Sequence, residues 1–291
     1  MHNMKKYLQL LRVKQYIKNA LIFLPAFFEG TVFQKDSGIK LIIGFAAFSV
    51  VCSAVYICND LNDIEKDKMH PVKRNRPIAS GLVDIHQAII IAVICGISGY
   101  IFLSLSQGTW IGQVHIYVII YFALNMGYSY GLKNIPILDV MILASGFLIR
   151  VLYGAALCNT WVSSWLYLTI LMISIYMGTG KRKNERISDN VGDVRTVLKY
   201  YSVAYLEKIM QMCVILAVVF YSLWSANMSE DKSDALLMVW TVPLVVGIIM
   251  RYEMVLENKQ YGDPTDILLS DRALQLMILA YGIIEIGLLY R

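Results

Sequence analysis

Charge is what this sequence has little of. Only 16% of its residues are Asp, Glu, Lys or Arg, against 57% that are hydrophobic. No ordinary soluble domain needs that much apolar surface, whereas a bundle of membrane helices does. Cys52, Cys58, Cys95, Cys158 and Cys213 are odd in number and scattered, with no Cys-x-x-Cys pair. Neither a disulfide frame nor a thiolate zinc site is therefore indicated. The four histidines form no His-Glu-x-x-His or other ligand spacing. A basic stripe is missing too. The formal charge is +5, but Lys and Arg fall mostly between apolar runs, which marks them as topology determinants and argues against a nucleic-acid partner. No linker or low-complexity stretch divides the chain, and no small-residue cleavage site follows its first apolar run. A single domain over residues 1–291 with no removable leader is expected.

What is present is a series of about nine apolar runs, each approaching the length of a membrane span. They are Ala20 to Phe33, Leu41 to Cys58, Ile85 to Leu105, Ile111 to Tyr130, Ile135 to Leu157, Trp161 to Gly180, Val203 to Ala226, Ala235 to Leu256 and Ala273 to Tyr290. Pro25 and Glu29 interrupt the first. Residues Met4 to Asn19 are basic and amphipathic and suit the membrane interface. With the N-terminus inside, the loops holding Lys66 to Arg76, Lys133, Lys181 to Lys199 and Lys259 fall on the cytoplasmic side. The opposite loops are poor in Lys and Arg, which is the positive-inside pattern. The sequence thus predicts an all-α, multi-pass bundle in the cell membrane, with its N-terminus and any active site cytoplasmic.

The densest block of charge runs from Asn59 to Gly81. Asp60, Asp63 and Asp67 are three and four apart, so a continuous helix would put them on one face with Asn59 at its flank. Such a face suits a hard divalent cation such as Mg²⁺, which bridges carboxylates to substrate phosphates. Lys73, Arg74 and Arg76, between Pro71 and Pro77, supply donors for phosphate oxygens. The alternative is a solvated loop, which the acidic-then-basic order disfavours. His70 reads as a turn residue rather than a catalyst.

Other even-numbered runs deliver Tyr128, Lys133, Lys181 and Arg182 to the same side, where a shared mouth would form a phosphate pocket. Lys181 to Lys183 could equally anchor topology. Asp139 lies just inside the fifth run, and Arg150 lies three turns deeper on the same face, about 16 Å further in and near mid-membrane. A charge there needs a partner or a wet cavity. Both readings stay open: a buried ion pair with Asp139 or Glu285, or a cavity for an anionic lipid head.

The arrangement Asn59, Asp60, Asp63 and Asp67 resembles the first Asp-rich motif of the UbiA superfamily of intramembrane prenyltransferases. Three further stretches resemble one branch of it, the polyprenyl-phosphate (decaprenyl-phosphate) phosphoribosyltransferases: Leu11 to Asn19, His70 to Gly81, and Tyr128 to Lys133 continued through Asp139 to Arg150. Gly180-Lys181-Arg182 with Glu185 continues the likeness. One departure bears on the branch. Where the superfamily usually has a second Asp-rich motif, this chain reads Gly-Lys-Arg-Lys-Asn-Glu-Arg.

The resemblance implies a UbiA-like bundle that moves 5-phosphoribosyl from phosphoribosyl pyrophosphate to a polyprenyl phosphate, for cell-envelope glycolipid synthesis. Asp60, Asp63 and Asp67 would act catalytically by holding Mg²⁺ on the leaving diphosphate, with Asn59 beside them. Lys73, Arg74, Arg76, Lys181 and Arg182 would meet phosphates. Lys14, Lys18 and Arg150 are candidates for the lipid phosphate, and Tyr128, Lys133 and Asp139 complete the expected substrate contacts. A homo-oligomer is compatible with this reading. The alternatives are a prenyltransferase acting on an aromatic or other lipophilic acceptor, and a transporter without catalysis.

Overall fold

The computed structural model describes residues 2–106, 111–187, 196–228, 237–259 and 263–290. Every element of regular structure among them is helical. We label α1 (His2–Leu10), α2 (Leu24–Phe28), α3 (Lys35–Asn62), α4 (Ile64–Met69), α5 (Ile85–Leu105), α6 (Ile111–Ser129), α7 (Leu138–Cys158), α8 (Ser164–Ile187), α9 (Val203–Ala226), α10 (Val242–Lys259), α11 (Pro264–Ser270) and α12 (Arg272–Leu289). Six helical segments are long and apolar enough to cross a membrane: α3, α5, α7, α9, Leu237–Asn258 and α12. The count of about nine spans is thus met only in part among the described residues.

The chain groups into two compact units. One comprises Met1–Phe27, Thr31–Lys133 and Ile149–Thr160, and the other Phe28–Gly30, Asn134–Leu148 and Trp161–Arg291. The division falls within α7, so Arg150 belongs to the first unit and Asp139 to the second.

In the first unit α3 is the buried element, while α5 packs along it and leaves most of its surface outward. Small residues permit the approach. A Cβ on Gly99 of α5 would stand 2.8 Å from the Val51 side chain of α3, the close contact that membrane helices favour in the absence of a hydrophobic drive between them. Ile22, Phe48, Cys52, Tyr121, Tyr153 and Leu157 meet in the core of this unit.

The first apolar run is not the single helix its length suggests. Residues Val13–Phe23 form a 3₁₀ helix that passes into the short α2, after a break at Arg12, whose φ of 52° is left-handed. Side chains hold this segment against α3. The Tyr16 and Ser53 hydroxyls are 2.7 Å apart, Asn19 donates to Ser49 at 2.9 Å, and Ser53 donates to the Leu11 carbonyl at 2.8 Å. Such ties compensate for the poorer backbone geometry of a long 3₁₀ run. Gly154 of α7 completes the seat, because a Cβ there would collide with the Ile22 carbonyl. Gly154→Ala is accordingly expected to cost about 1–3 kcal/mol, seen as a lower thermal unfolding midpoint in detergent; an unchanged midpoint would show that the 3₁₀ segment can yield.

In the second unit α8 and α9 pack along each other, and Tyr176, Met210, Cys213, Tyr252, Leu256 and Leu274 form the core. Side-chain caps fix the starts of three helices. Ser202 accepts from the Tyr205 amide at 3.1 Å, Asp263 from Thr265 at 2.9 Å, and Asp271 from Leu274 at 2.7 Å. One expectation changes here. Helix α8 continues to Ile187, so Lys181, Arg182 and Lys183 lie in its final turns and not in a loop. Residues 188–195, within the expected basic loop, lie outside the described residues.

Candidate active site

The Asp-rich turn sits where α3 hands over to α4 in the first unit. Asp63 leaves helical geometry (φ −104°, ψ 13°), yet the turn stays bonded, with Asp63 N donating to Asn59 O at 3.1 Å and Asp67 N to Asp63 O at 2.8 Å. This kink divides the three carboxylates. Asp60 and Asp67, each only 3% exposed, both accept hydrogen bonds from Nη1 of Arg76, at 3.0 and 2.7 Å. Asp63 instead accepts from Nζ of Lys133, at 3.0 and 3.1 Å to its two oxygens, with Lys66 at 4.0 Å.

Arg76 reaches back because the chain turns sharply after α4. His70 organises that turn, its Nδ1 accepting from the amides of Val72 at 3.1 Å and Lys73 at 3.3 Å, so the turn role expected of His70 holds. The end of α6 supports the other side. Ser129 donates its hydroxyl to Asn59, and Asn62 donates to the Ser129 carbonyl at 3.1 Å.

Arg12 joins the candidate site from outside the charge block. Its guanidinium pairs with Asp60 and lies 4.9 Å from the Tyr56 ring centroid. Forty-eight residues separate the partners, so no local spacing could report the pair; the stretch Leu11 to Asn19 was the only signal. Asp60 therefore faces Arg12 and Arg76 together. Interleaved acids and bases of this kind form a ready exchange site, because phosphate oxygens can take over the guanidinium groups while a metal takes over the carboxylates. Of the remaining expected residues, Arg74 and Lys14 are exposed, and Lys73, Lys18 and Tyr128 are half-buried.

The donor set fits a hard divalent ion in part. Asp60 and Asp67 offer oxygen ligands already converging on one cation, which is the chemistry Mg²⁺ requires. Asp63 is engaged elsewhere. Among the described residues no three His, Cys, Asp or Glu side chains are grouped so as to hold a metal.

Arg150 has several partners within the first unit. Its Nε donates to Asn19 Oδ1 at 2.7 Å and its Nη2 to the Tyr121 hydroxyl at 3.2 Å, while the guanidinium carbon lies 5.2 Å from the Phe48 ring centroid and 4.9 Å from that of Tyr121. It is buried. The arrangement is that of an internal anchor joining the 3₁₀ segment, α3 and α6.

In the second unit Asp139 and Arg182, both expected at substrate, are paired with each other. Both are fully buried, and Arg182 Nε donates to Asp139 Oδ2 at 2.5 Å while its Nη1 donates to Glu185 at 2.6 Å. Tyr201 donates to the other Asp139 oxygen at 2.6 Å. Burial, and then this hydrogen bond, raise the Tyr201 pKa above the ordinary tyrosine range, so the phenol stays a proton donor at neutral pH. Asp139 thus pairs with Arg182, while Arg150 donates to Asn19 and Tyr121. Lys181 is half-buried with its Nζ 4.0 Å from Asp263.

Residues 23–267 match the UbiA prenyltransferase family. The chain belongs to that family. This UbiA-family chain is 32% identical over 279 residues to the decaprenyl-phosphate phosphoribosyltransferase of Corynebacterium glutamicum, covering 93% of this chain and 82% of that protein. It is 33% identical over 285 residues to the protein of the same name from Mycolicibacterium smegmatis, covering 93% and 88%. Among solved structures, a UbiA homologue from Archaeoglobus fulgidus bound to GPP and Mg²⁺ superposes with a TM-score of 0.71 at 15% identity, covering 98% of this chain and all of that one. At that identity the likeness speaks for the UbiA fold alone.

Proposed function

We propose that this UbiA-family protein transfers 5-phosphoribosyl from phosphoribosyl pyrophosphate to a polyprenyl phosphate and releases pyrophosphate. The observation that carries the reading is the pairing of Asp60 and Asp67 on Arg76, with Arg12 and Lys133 on the neighbouring carboxylates. Two relatives named decaprenyl-phosphate phosphoribosyltransferase, matched over 93% of the chain, support the choice of donor and acceptor.

Asp60 and Asp67, joined by Asp63 once it leaves Lys133, would hold Mg²⁺ on the diphosphate. Bound there, the ion would neutralise charge on the departing pyrophosphate. Arg76, Arg12 and Lys133, displaced from the carboxylates, would turn to phosphate oxygens, with Lys73 and Arg74 beside them. Lys14 and Lys18 are proposed for the lipid phosphate and Tyr128 for substrate contact. An acceptor oxygen forms the new bond to the anomeric carbon as the bond to pyrophosphate breaks, and the bonding electrons leave with pyrophosphate. Since the acceptor phosphate is an anion near neutral pH, no general base is assigned.

The proposal includes a nine-span bundle in the cell membrane with the Asp-rich turn facing the cytoplasm, where phosphoribosyl pyrophosphate is available. The positive-inside distribution of Lys and Arg supports that orientation. Pyrophosphate release by the purified protein is expected to need phosphoribosyl pyrophosphate, polyprenyl phosphate and a divalent cation together. Release that persists without the lipid would contradict the acceptor assignment.

Arg150→Met separates anchor from ligand contact. With the partners described above, it should lower the yield of folded protein while leaving the KM values of the purified remainder for both substrates within about twofold. A selective rise in KM for polyprenyl phosphate would instead place the guanidinium at the acceptor.

A further inference from the structure

The second unit carries a groove of about 630 Å³ lined by α8, α9 and α10, within the range of small-molecule sites. Its two ends differ in chemistry. One is acidic: Glu207, Glu253 and Glu257 lie about Lys183, the one cation among the described lining residues, whose Nζ lies 3.1 Å from Glu207 and 3.4 Å from Glu257, while Glu253 accepts the Tyr176 hydroxyl. Among the described lining residues, three carboxylates against one ammonium leave a formal excess of two negative charges. The other end is apolar, with Val214, Ile215, Ile249 and Met250 on its walls.

The axial arrangement is that of an amphiphile. From Glu207 to Ile215 along α9, and from Glu257 to Ile249 along α10, the groove runs about 12 Å from charge to hydrocarbon. Ile215 and Met250 are 62% and 68% exposed, so its apolar end faces outward on helices of membrane-spanning length. A lipid chain can enter sideways there while its head stays at the polar end.

We infer that this groove binds a membrane lipid whose head group carries a primary ammonium, one chain lying on Ile215 and Met250 and the ammonium meeting Glu253 and Glu257. Charge complementarity selects the head. An ammonium adds a second cation to an end where carboxylates outnumber Lys183, whereas a head with only phosphate would be repelled by that excess. The same argument excludes polyprenyl phosphate, so the groove is distinct from the proposed acceptor site and does not depend on it.

The test uses the full chain, purified in detergent, stripped of lipid and exposed to equal amounts of phosphatidylethanolamine and phosphatidylglycerol with identical acyl chains. Phosphatidylethanolamine should be retained in preference. The double variant Glu253→Gln and Glu257→Gln keeps side-chain size and should lose that retention by ~10-fold or more, with pyrophosphate release unchanged as the check on folding. Ile215→Trp, which fills the apolar end without touching the charges, should also displace the lipid. Equal retention of the two lipids, or unchanged retention of phosphatidylethanolamine by the glutamine and tryptophan variants, would overturn the inference, as would displacement by free ethanolamine at the lipid's own concentration.

Discussion

Asp60→Asn is expected to lower phosphoribosyl transfer by ~10²-fold or more while the protein still inserts and folds. Removing charge stabilisation at a leaving group commonly costs a few kcal/mol of the barrier. Asp60 is the carboxylate on which Arg12 and Arg76 both converge, so the amide would remove a metal ligand and release the guanidinium groups from their resting partner at once. The Asn side chain still offers a carbonyl oxygen to Arg76, which limits the structural damage. Asp63→Asn should also abolish turnover, because it releases Lys133 and removes the third oxygen donor. Rates of pyrophosphate release with increasing Mg²⁺ check both variants. Near-normal activity at saturating metal would sink the assignment.

Arg182→Met is expected to act on the fold and not on donor affinity. With Arg182 removed, Asp139 keeps only neutral Tyr201 among the partners described for it and becomes a buried carboxylate without its cation. Breaking one side of a buried pair costs about 3–5 kcal/mol, a large share of the stability of an ordinary domain. Loss of monodisperse protein on size exclusion is the expected result, whereas Lys181→Met, at a partly exposed side chain, should leave the fold intact. If Arg182→Met yields stable enzyme with a raised KM for phosphoribosyl pyrophosphate, the pair is not the anchor described here.

The arrangement of Asp139 and Arg182 shows where the sequence stops being informative. Position near mid-membrane marked Arg150 as needing a partner, with Asp139 one candidate, but Asp139 pairs with Arg182, 43 residues away, and local spacing says nothing about which distant cation arrives. The basic stretch Lys181 to Lys183 read as available to phosphate because most of its acids lie on other segments: Arg182 meets Asp139 as well as the nearby Glu185, and Lys183 meets Glu207 and Glu257. Arg182 and Lys183 are thus engaged with carboxylates where the sequence offered them to phosphates. The preference for phosphoribosyl pyrophosphate rests on the relatives.

Hydrophobic run length placed the long helices well, since apolar segments end where charge and caps begin. Ile85–Leu105 and Val203–Ala226 have the limits read from the sequence. The first run departed because its form is decided by tertiary ties, Asn19 to Ser49 and Tyr16 to Ser53, which period and propensity do not encode. Similarly, three-and-four spacing put Asp60, Asp63 and Asp67 on one face of a continuous helix. The kink at Asp63 then sent the middle carboxylate to Lys133.

The most direct test of the proposed reaction is mass spectrometry of the lipid formed when the purified protein meets phosphoribosyl pyrophosphate, a prenyl diphosphate, Mg²⁺, polyprenyl phosphate and an aromatic acid in one reaction. The account predicts a polyprenyl phosphate heavier by one phosphoribosyl group, formed in step with pyrophosphate, and no prenylated aromatic. A prenylated aromatic product, with phosphoribosyl pyrophosphate left intact, would contradict it.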